Sequence, residues 1–143
     1  MFITRECDYA VRVIRALGQN ARLSVGEICE KEEITAPFAY KILKKLQKAG
    51  IVKGYRGVHG GYVLSQQPDE LTLFDIYSAI DNDMNIIDCM DPHFGCPRDN
   101  HSRGITCLVH RELVDIQQEF WKLLKRKTLQ EILAEGEQSC NCM

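Results

Sequence analysis

No apolar run in the 143-residue sequence approaches the roughly 18 residues that a membrane-spanning helix needs, so no membrane span is expected. The opening residues, Met1-Phe2-Ile3-Thr4-Arg5-Glu6, lack a basic stretch followed by an apolar one, so no secretory signal is expected and the cytoplasm is the expected compartment. No internal repeat or low-complexity tract is visible. The cysteines do not come as the paired Cys-x2-Cys hooks of a zinc ribbon. No phosphate loop or oxyanion site accompanies the Cys–His pair in the second half, which argues against an enzyme.

What is present is cysteine, seven in all, at positions 7, 29, 89, 96, 107, 140 and 142. An odd count without a secretory signal argues against a disulfide framework and in favour of metal or redox chemistry. Charge is also unevenly placed. The net charge of −2 conceals a balance of +5 over residues 1–65 and −7 over residues 66–143. A basic N-terminal half suits a polyanion.

Ala10, Val13, Ile14 and Leu17 recur at helical spacing and predict a helix over residues 5–18. Ser24 and Glu27 form the pattern of a capping box before a short helix. Glu32-Glu33-Ile34 reads as a turn, after which Thr35 is placed to cap the next helix and Pro37 is tolerated in its first turn. In that helix Ala39, Ile42, Leu43 and Leu46 form the inward stripe, and Gly50 closes it. Tyr40, Lys41, Lys44, Lys45 and Lys48 form the outward face. Two short helices around a tight turn, the second basic outside, describe a helix-turn-helix. The next segment supports that reading. Residues 51–56 and 62–65 predict two strands around the glycine-rich turn Gly57-Val58-His59-Gly60-Gly61, which is a wing. Arg56 at the wing tip suits a narrow minor groove, and Lys44, Lys45 and Lys48 suit phosphates.

Thr72 and Asp75 predict a further helix with Leu73, Ile76 and Ile80 inward. Periodicity then disappears from Asn82 to Thr106, a length that marks a functional or disordered loop. A long helix begins near Cys107. Val109, Leu113, Ile116, Phe120 and Leu123 are spaced 4, 3, 4, 3, the seam along which two such helices pack. Packing of this seam within the same chain is the competing reading. Trp121, Leu124, Leu129 and Ile132 are candidates for burial against the DNA-binding part.

Cys89, Cys96, Cys107 and His110 fall within 22 residues, with Cys107 and His110 one helical turn apart. Thiolates and imidazole suit zinc or an iron–sulfur cluster. His93 and His101 lie near enough to compete as ligands. Cys7 and Cys29 read as packing residues. Cys140 and Cys142 receive no assignment.

These features resemble the winged-helix transcription regulators that include the iron–sulfur cluster regulator IscR and the nitric-oxide sensor NsrR. The resemblance runs from Ile3 to about Leu133. It rests on Asp8-Tyr9-Ala10-Val11, the helix-turn-helix, the wing from Arg56 to Tyr62, the cysteine trio and the long helix after it. It implies a homodimer that binds a duplex DNA operator as a repressor. It also implies an iron–sulfur cluster held by Cys89, Cys96 and Cys107 with one further ligand. That ligand is His110 in the IscR-like pattern, which goes with [2Fe–2S], or the partner's Asp8 in the NsrR-like pattern, which goes with [4Fe–4S]. The local Cys107–His110 spacing favours His110 and [2Fe–2S]. The gap between Cys96 and Cys107, ten residues where about five are typical, departs from the family. The resemblance assigns DNA contact to Thr35, Pro37, Phe38, Tyr40, Lys41 and Arg56, and His59 joins Arg56 in the wing. The alternative is a zinc-dependent or thiol-based regulator without a cluster.

The expected fold is therefore mainly α with a small β-hairpin: a winged helix-turn-helix plus a long C-terminal dimerisation helix. The expected divisions are a DNA-binding domain over 1–66 with a packing helix over 67–81, a sensor loop over 82–106, a dimerisation region over 107–133 and a mobile tail over 134–143.

Overall fold

Ala10, Val13, Ile14 and Leu17 line one face of the first helix, α1 (Arg5–Leu17), and all four are buried. The computed structural model describes residues 3–18, 22–94, 96 and 107–135. Helix α2 (Val25–Glu32) starts at the expected capping box: the Glu27 amide donates to Ser24 Oγ at 3.3 Å and the Ser24 amide donates to the Glu27 carboxylate at 2.7 Å. These contacts satisfy two of the amides left without partners at a helix start. The turn into α3 (Ala36–Lys48) is made by Glu33 in the left-handed region, φ 52°. A left-handed residue at this point ends one helix and re-aims the chain for the next.

Thr35 is the N-cap residue of α3, but its side chain makes no capping hydrogen bond. The expected Thr35 side-chain cap is therefore absent, although Pro37 removes only the second amide of the helix and leaves that of Phe38. Ala39, Ile42, Leu43 and Leu46 are all fully buried, and Gly50 follows with φ 75°.

The wing is the antiparallel pair β1 (Val52–Tyr55) and β2 (Gly61–Leu64), with Val52 opposite Leu64 and Tyr55 opposite Gly61. Leu23 adds a strand-like bridge, exchanging backbone hydrogen bonds with Tyr62 at 3.1 and 2.8 Å. A side chain at Gly61 would strike the Leu23 carbonyl at 2.8 Å, so glycine is required for this approach. Helix α4 (Leu73–Ile80) opens with the second capping box, Thr72 and Asp75, and packs Ile76 and Ile80 into the core beneath α1 and α3.

The segment after α4 carries one short 3-10 turn, Asp88–Met90, among its described residues. Helix α5 (Leu108–Lys125) follows. The sequence periodicity predicts one helical region to residue 133, but the chain breaks after Lys125 and restarts as α6 (Leu129–Glu135). The break has a local cause. Thr128 and Glu131 form their own reciprocal hydrogen bonds at 2.7 and 3.3 Å, and the Leu129 amide donates to the Leu71 carbonyl at 2.7 Å. Leu129 is thereby fully buried in the core of the N-terminal domain.

Helix α5 shows two faces. Gln117 and Leu124 are buried, and Trp121 meets Phe74 of α4 edge-on with ring centres 5.7 Å apart. The expected seam lies on the other side, with Val109, Ile116 and Leu123 67%, 49% and 58% exposed. Leu113 and Phe120 of the same seam are half-buried, so among the described residues the seam is covered only in part. No helix among the described residues is long and apolar enough to cross a membrane. The expected tail from residue 136 onward, with Cys140 and Cys142, lies outside the described residues, as does His101.

Candidate functional site

The outward face of α3 and the wing tip form one exposed surface. Thr35, Pro37, Phe38, Tyr40, Lys41, Lys44 and Lys48 are exposed along α3, and Arg56 and His59 are exposed in the wing turn. The Phe38 ring leans on Tyr9 of α1, with centres 5.4 Å apart. Val58 at the wing tip is 99% exposed. A valine held this far out has no packing role in the single chain.

Two positions behind this surface carry no signal in the sequence pattern. Arg22 donates to the His59 carbonyl at 3.0 Å and stacks over the Tyr55 ring at 4.0 Å, with Lys53 on the same ring at 5.2 Å. Arg22 thus props the wing from the chain before α2. Glu6 of α1 accepts from Lys41 at 2.5 Å and from Lys45 at 2.7 Å. Hydrogen bonds from Lys41, then Lys45, hold the Glu6 carboxyl below the usual carboxylate range. Lys45 also donates to the Ile80 carbonyl at 3.0 Å. Lys45 therefore ties α3 to α1 and α4, while Lys44 and Lys48 form no ion pair among the described residues.

The thiolate candidates follow α4 in the chain, beside α5. Cys89 sits in the 3-10 turn, Cys96 in the chain after it, and Cys107 is the N-cap residue of α5; all three are half-buried. Cys89 Sγ stands 3.4 Å from His110 Nδ1. Two donors on one tetrahedral zinc-sized ion stand about 3.5 Å apart, given bonds of ~2.3 Å to sulfur and ~2.0 Å to nitrogen. This pair therefore fits a shared metal, and three thiols with an imidazole suit the soft ion chemistry of zinc or iron. The structure does not gather all four. Among the described residues no group of three or more His, Cys, Asp or Glu side chains is close enough to hold an ion.

The loop carrying Cys89 is fastened to α5 by Gln117, which the sequence pattern does not mark, and by Trp121, expected there only as a buried side chain. The Ile86 amide donates to Gln117 Oε1 at 2.9 Å, Gln117 Nε2 donates to Asn85 at 3.3 Å, and Trp121 Nε1 donates to the Met84 carbonyl at 3.2 Å. Gln117 is 7% exposed, an unusual place for an amide unless its hydrogen bonds are met. Asp8, the alternative ligand, is exposed on α1 and pairs with Arg12 at 3.0 Å. Cys7 is fully buried and Cys29 packs against the core, as expected of packing residues. His93 is exposed beside Asp91, whose carboxylate accepts from the His93 amide at 2.8 Å.

A helix-turn-helix with a basic outer helix, a wing set beside it and a separate thiol-bearing segment defines a winged-helix transcription regulator. Residues 3–135 match the Rrf2 family, described as iron-dependent transcriptional regulators, and the chain belongs to that family. It is 33% identical over 135 residues to an HTH-type transcriptional regulator of Synechocystis, covering 92% of this chain and 87% of that one. It is 28% identical over 140 residues to the HTH-type transcriptional regulator IscR of Aliivibrio salmonicida, covering 96% and 80%. Among solved structures, IscR of T. potens superposes with a TM-score of 0.73 at 20% identity, over 99% of this chain and 92% of that one. CymR, the global cysteine regulator of B. subtilis, superposes with a TM-score of 0.71 at 19% identity, over 93% and 96%. These two likenesses establish the fold. The relatives are transcriptional regulators, not enzymes.

Proposed function

We propose that the protein is a cytoplasmic, homodimeric repressor whose binding to a duplex operator is gated by an iron–sulfur cluster responding to redox state, nitric oxide or cluster supply. Cys89, Cys96, Cys107 and His110 would hold the cluster, with [2Fe–2S] favoured and Asp8 the alternative fourth ligand. When bound, the cluster supplies a redox- and nitric-oxide-sensitive centre. The observation that carries this reading is the 3.4 Å approach of Cys89 Sγ to His110 Nδ1 in a segment clamped to α5.

On the DNA side, Thr35, Tyr40 and Lys41 would donate to base edges, and Pro37 and Phe38 would offer apolar contact. Lys44 would meet phosphate, and Arg56 and His59 would follow the wing into the minor groove. The gating path runs through packed elements. Gln117 and Trp121 tie residues 84–86 to α5, and α5 rests on α4, which lies under α1 and α3. Ligation by the loop cysteines would fix the loop against α5. In a dimer joined along the exposed α5 seam, that would set the spacing of the two wings and so their fit to two half-sites.

The zinc or thiol reading has one observation in its favour: only Cys89 and His110 are brought together among the described residues. A visible spectrum with iron and sulfide content after anaerobic purification separates the two. Cluster absorbance with matched iron and sulfide supports the first reading. A colourless protein without sulfide overturns it.

A further inference from the structure

Glu6 places a carboxylate between α1 and the basic face of α3. One of its oxygens accepts from Lys41 at 2.5 Å and the other from Lys45 at 2.7 Å. The two lysines are not equivalent. Lys45 is anchored a second time by the Ile80 carbonyl and is half-buried, which makes it part of the packing. Lys41 is exposed and donates to Glu6 across 35 residues of sequence. Lys44, three residues further along the same helix, carries its charge with no such counter-charge among the described residues. An acidic group just behind a DNA-facing surface works against phosphate binding in two ways: it offsets the charge of Lys41, and it repels the polyanion.

We propose that Glu6 is a specificity-setting residue of the DNA surface: it withdraws Lys41 from the set of phosphate contacts, so that sequence-independent affinity for duplex rests on Lys44, Lys48 and the wing. Non-specific affinity comes almost wholly from phosphate charge, whereas base contacts come from directed donors. A lysine fixed by a carboxylate keeps two N–H groups to direct at a base edge and adds little to charge-driven binding. The proposal rests on the DNA-binding reading and adds to it a residue outside the helix-turn-helix that tunes it.

The test measures binding to a random-sequence duplex by fluorescence anisotropy across a salt series. It compares wild type, Glu6→Gln and the double variant Glu6→Gln/Lys41→Gln. Glu6→Gln is expected to steepen the slope of log affinity against log salt by about 0.9 per protomer touching DNA. Between roughly 50 and 200 mM salt, that is a further ~3.5-fold loss of affinity per protomer. The double variant is expected to return to the wild-type slope. Equal slopes for wild type and Glu6→Gln overturn the proposal alone. A wild type that does not bind the duplex overturns the DNA-binding reading with it. Should Glu6→Gln fail to fold by circular dichroism, Lys41→Gln and Lys44→Gln decide the matter. The proposal expects Lys44→Gln to lower the slope by more, and equal losses overturn it.

Discussion

Cys89 Sγ and His110 Nδ1 meet at 3.4 Å although 21 residues separate them in the chain. Cys89 comes from a short turn held to α5 and His110 from the first turn of α5 itself. The proposed assignment makes a direct prediction for the fourth ligand. His110→Ala, purified without oxygen, is expected to lose most of its iron and sulfide and its visible absorbance. Asp8→Ala is expected to keep both. The opposite outcome would transfer the ligand role to Asp8.

Gln117 fastens residues 85 and 86 to α5. Gln117→Leu keeps the side-chain volume but strips the Ile86 amide of its acceptor, at a cost of about 1–3 kcal/mol. The expected result is a lower midpoint in urea together with faster hydrogen exchange at Ile86. An unchanged exchange rate there would mean that residues 84–86 are held by other contacts.

Arg22 supports the wing without belonging to it. Arg22→Ala removes the stacking on Tyr55 and the hydrogen bond to the His59 carbonyl, together worth about 1 kcal/mol at an exposed site. DNA affinity is expected to fall by about fivefold, with thermal stability nearly unchanged, because Arg22 is exposed. A large stability loss with unchanged affinity would contradict a wing-positioning role.

The exposed seam of α5 predicts the assembly. Ile116 is 49% exposed in the single chain, so Ile116→Glu is not expected to unfold it. In a dimer packed along this seam the same change places a charge in an apolar interface. Sedimentation is expected to show a shift from dimer to monomer at micromolar concentration. A variant that stays dimeric would place the interface elsewhere.

Local signals were the legible ones. Ser24 and Glu27, or Thr72 and Asp75, stand three residues apart and declare a helix start in the sequence itself. The buried stripe of α3 and the glycine turn of the wing were readable for the same reason. The Thr35 cap was misjudged: the threonine holds the N-cap position, but its hydroxyl takes no amide. The break between α5 and α6 was hidden because apolar spacing continues through it from Leu124 to Ile132. The Thr128–Glu131 pair that causes the break follows the same Thr-x-x-acid pattern as Thr72–Asp75. Gln117, Arg22 and Glu6 act on partners 31, 37 and 35 residues away, and no window along the chain contains both ends of such a contact. The thiolate set was legible by residue type. Its assembly was not, because ligation depends on how the loop closes.

The central claim is that what Cys89, Cys96, Cys107 and His110 hold decides whether DNA is bound. It is tested most directly by comparing two forms of the same preparation, anaerobically reconstituted with iron and sulfide or stripped of both. Each is titrated against a duplex selected from a random library by the reconstituted form. The account predicts that the two affinities differ by at least about tenfold, a coupling of roughly 1.4 kcal/mol. It also predicts that the difference vanishes in Cys89→Ala. Equal affinities for the two forms would contradict it.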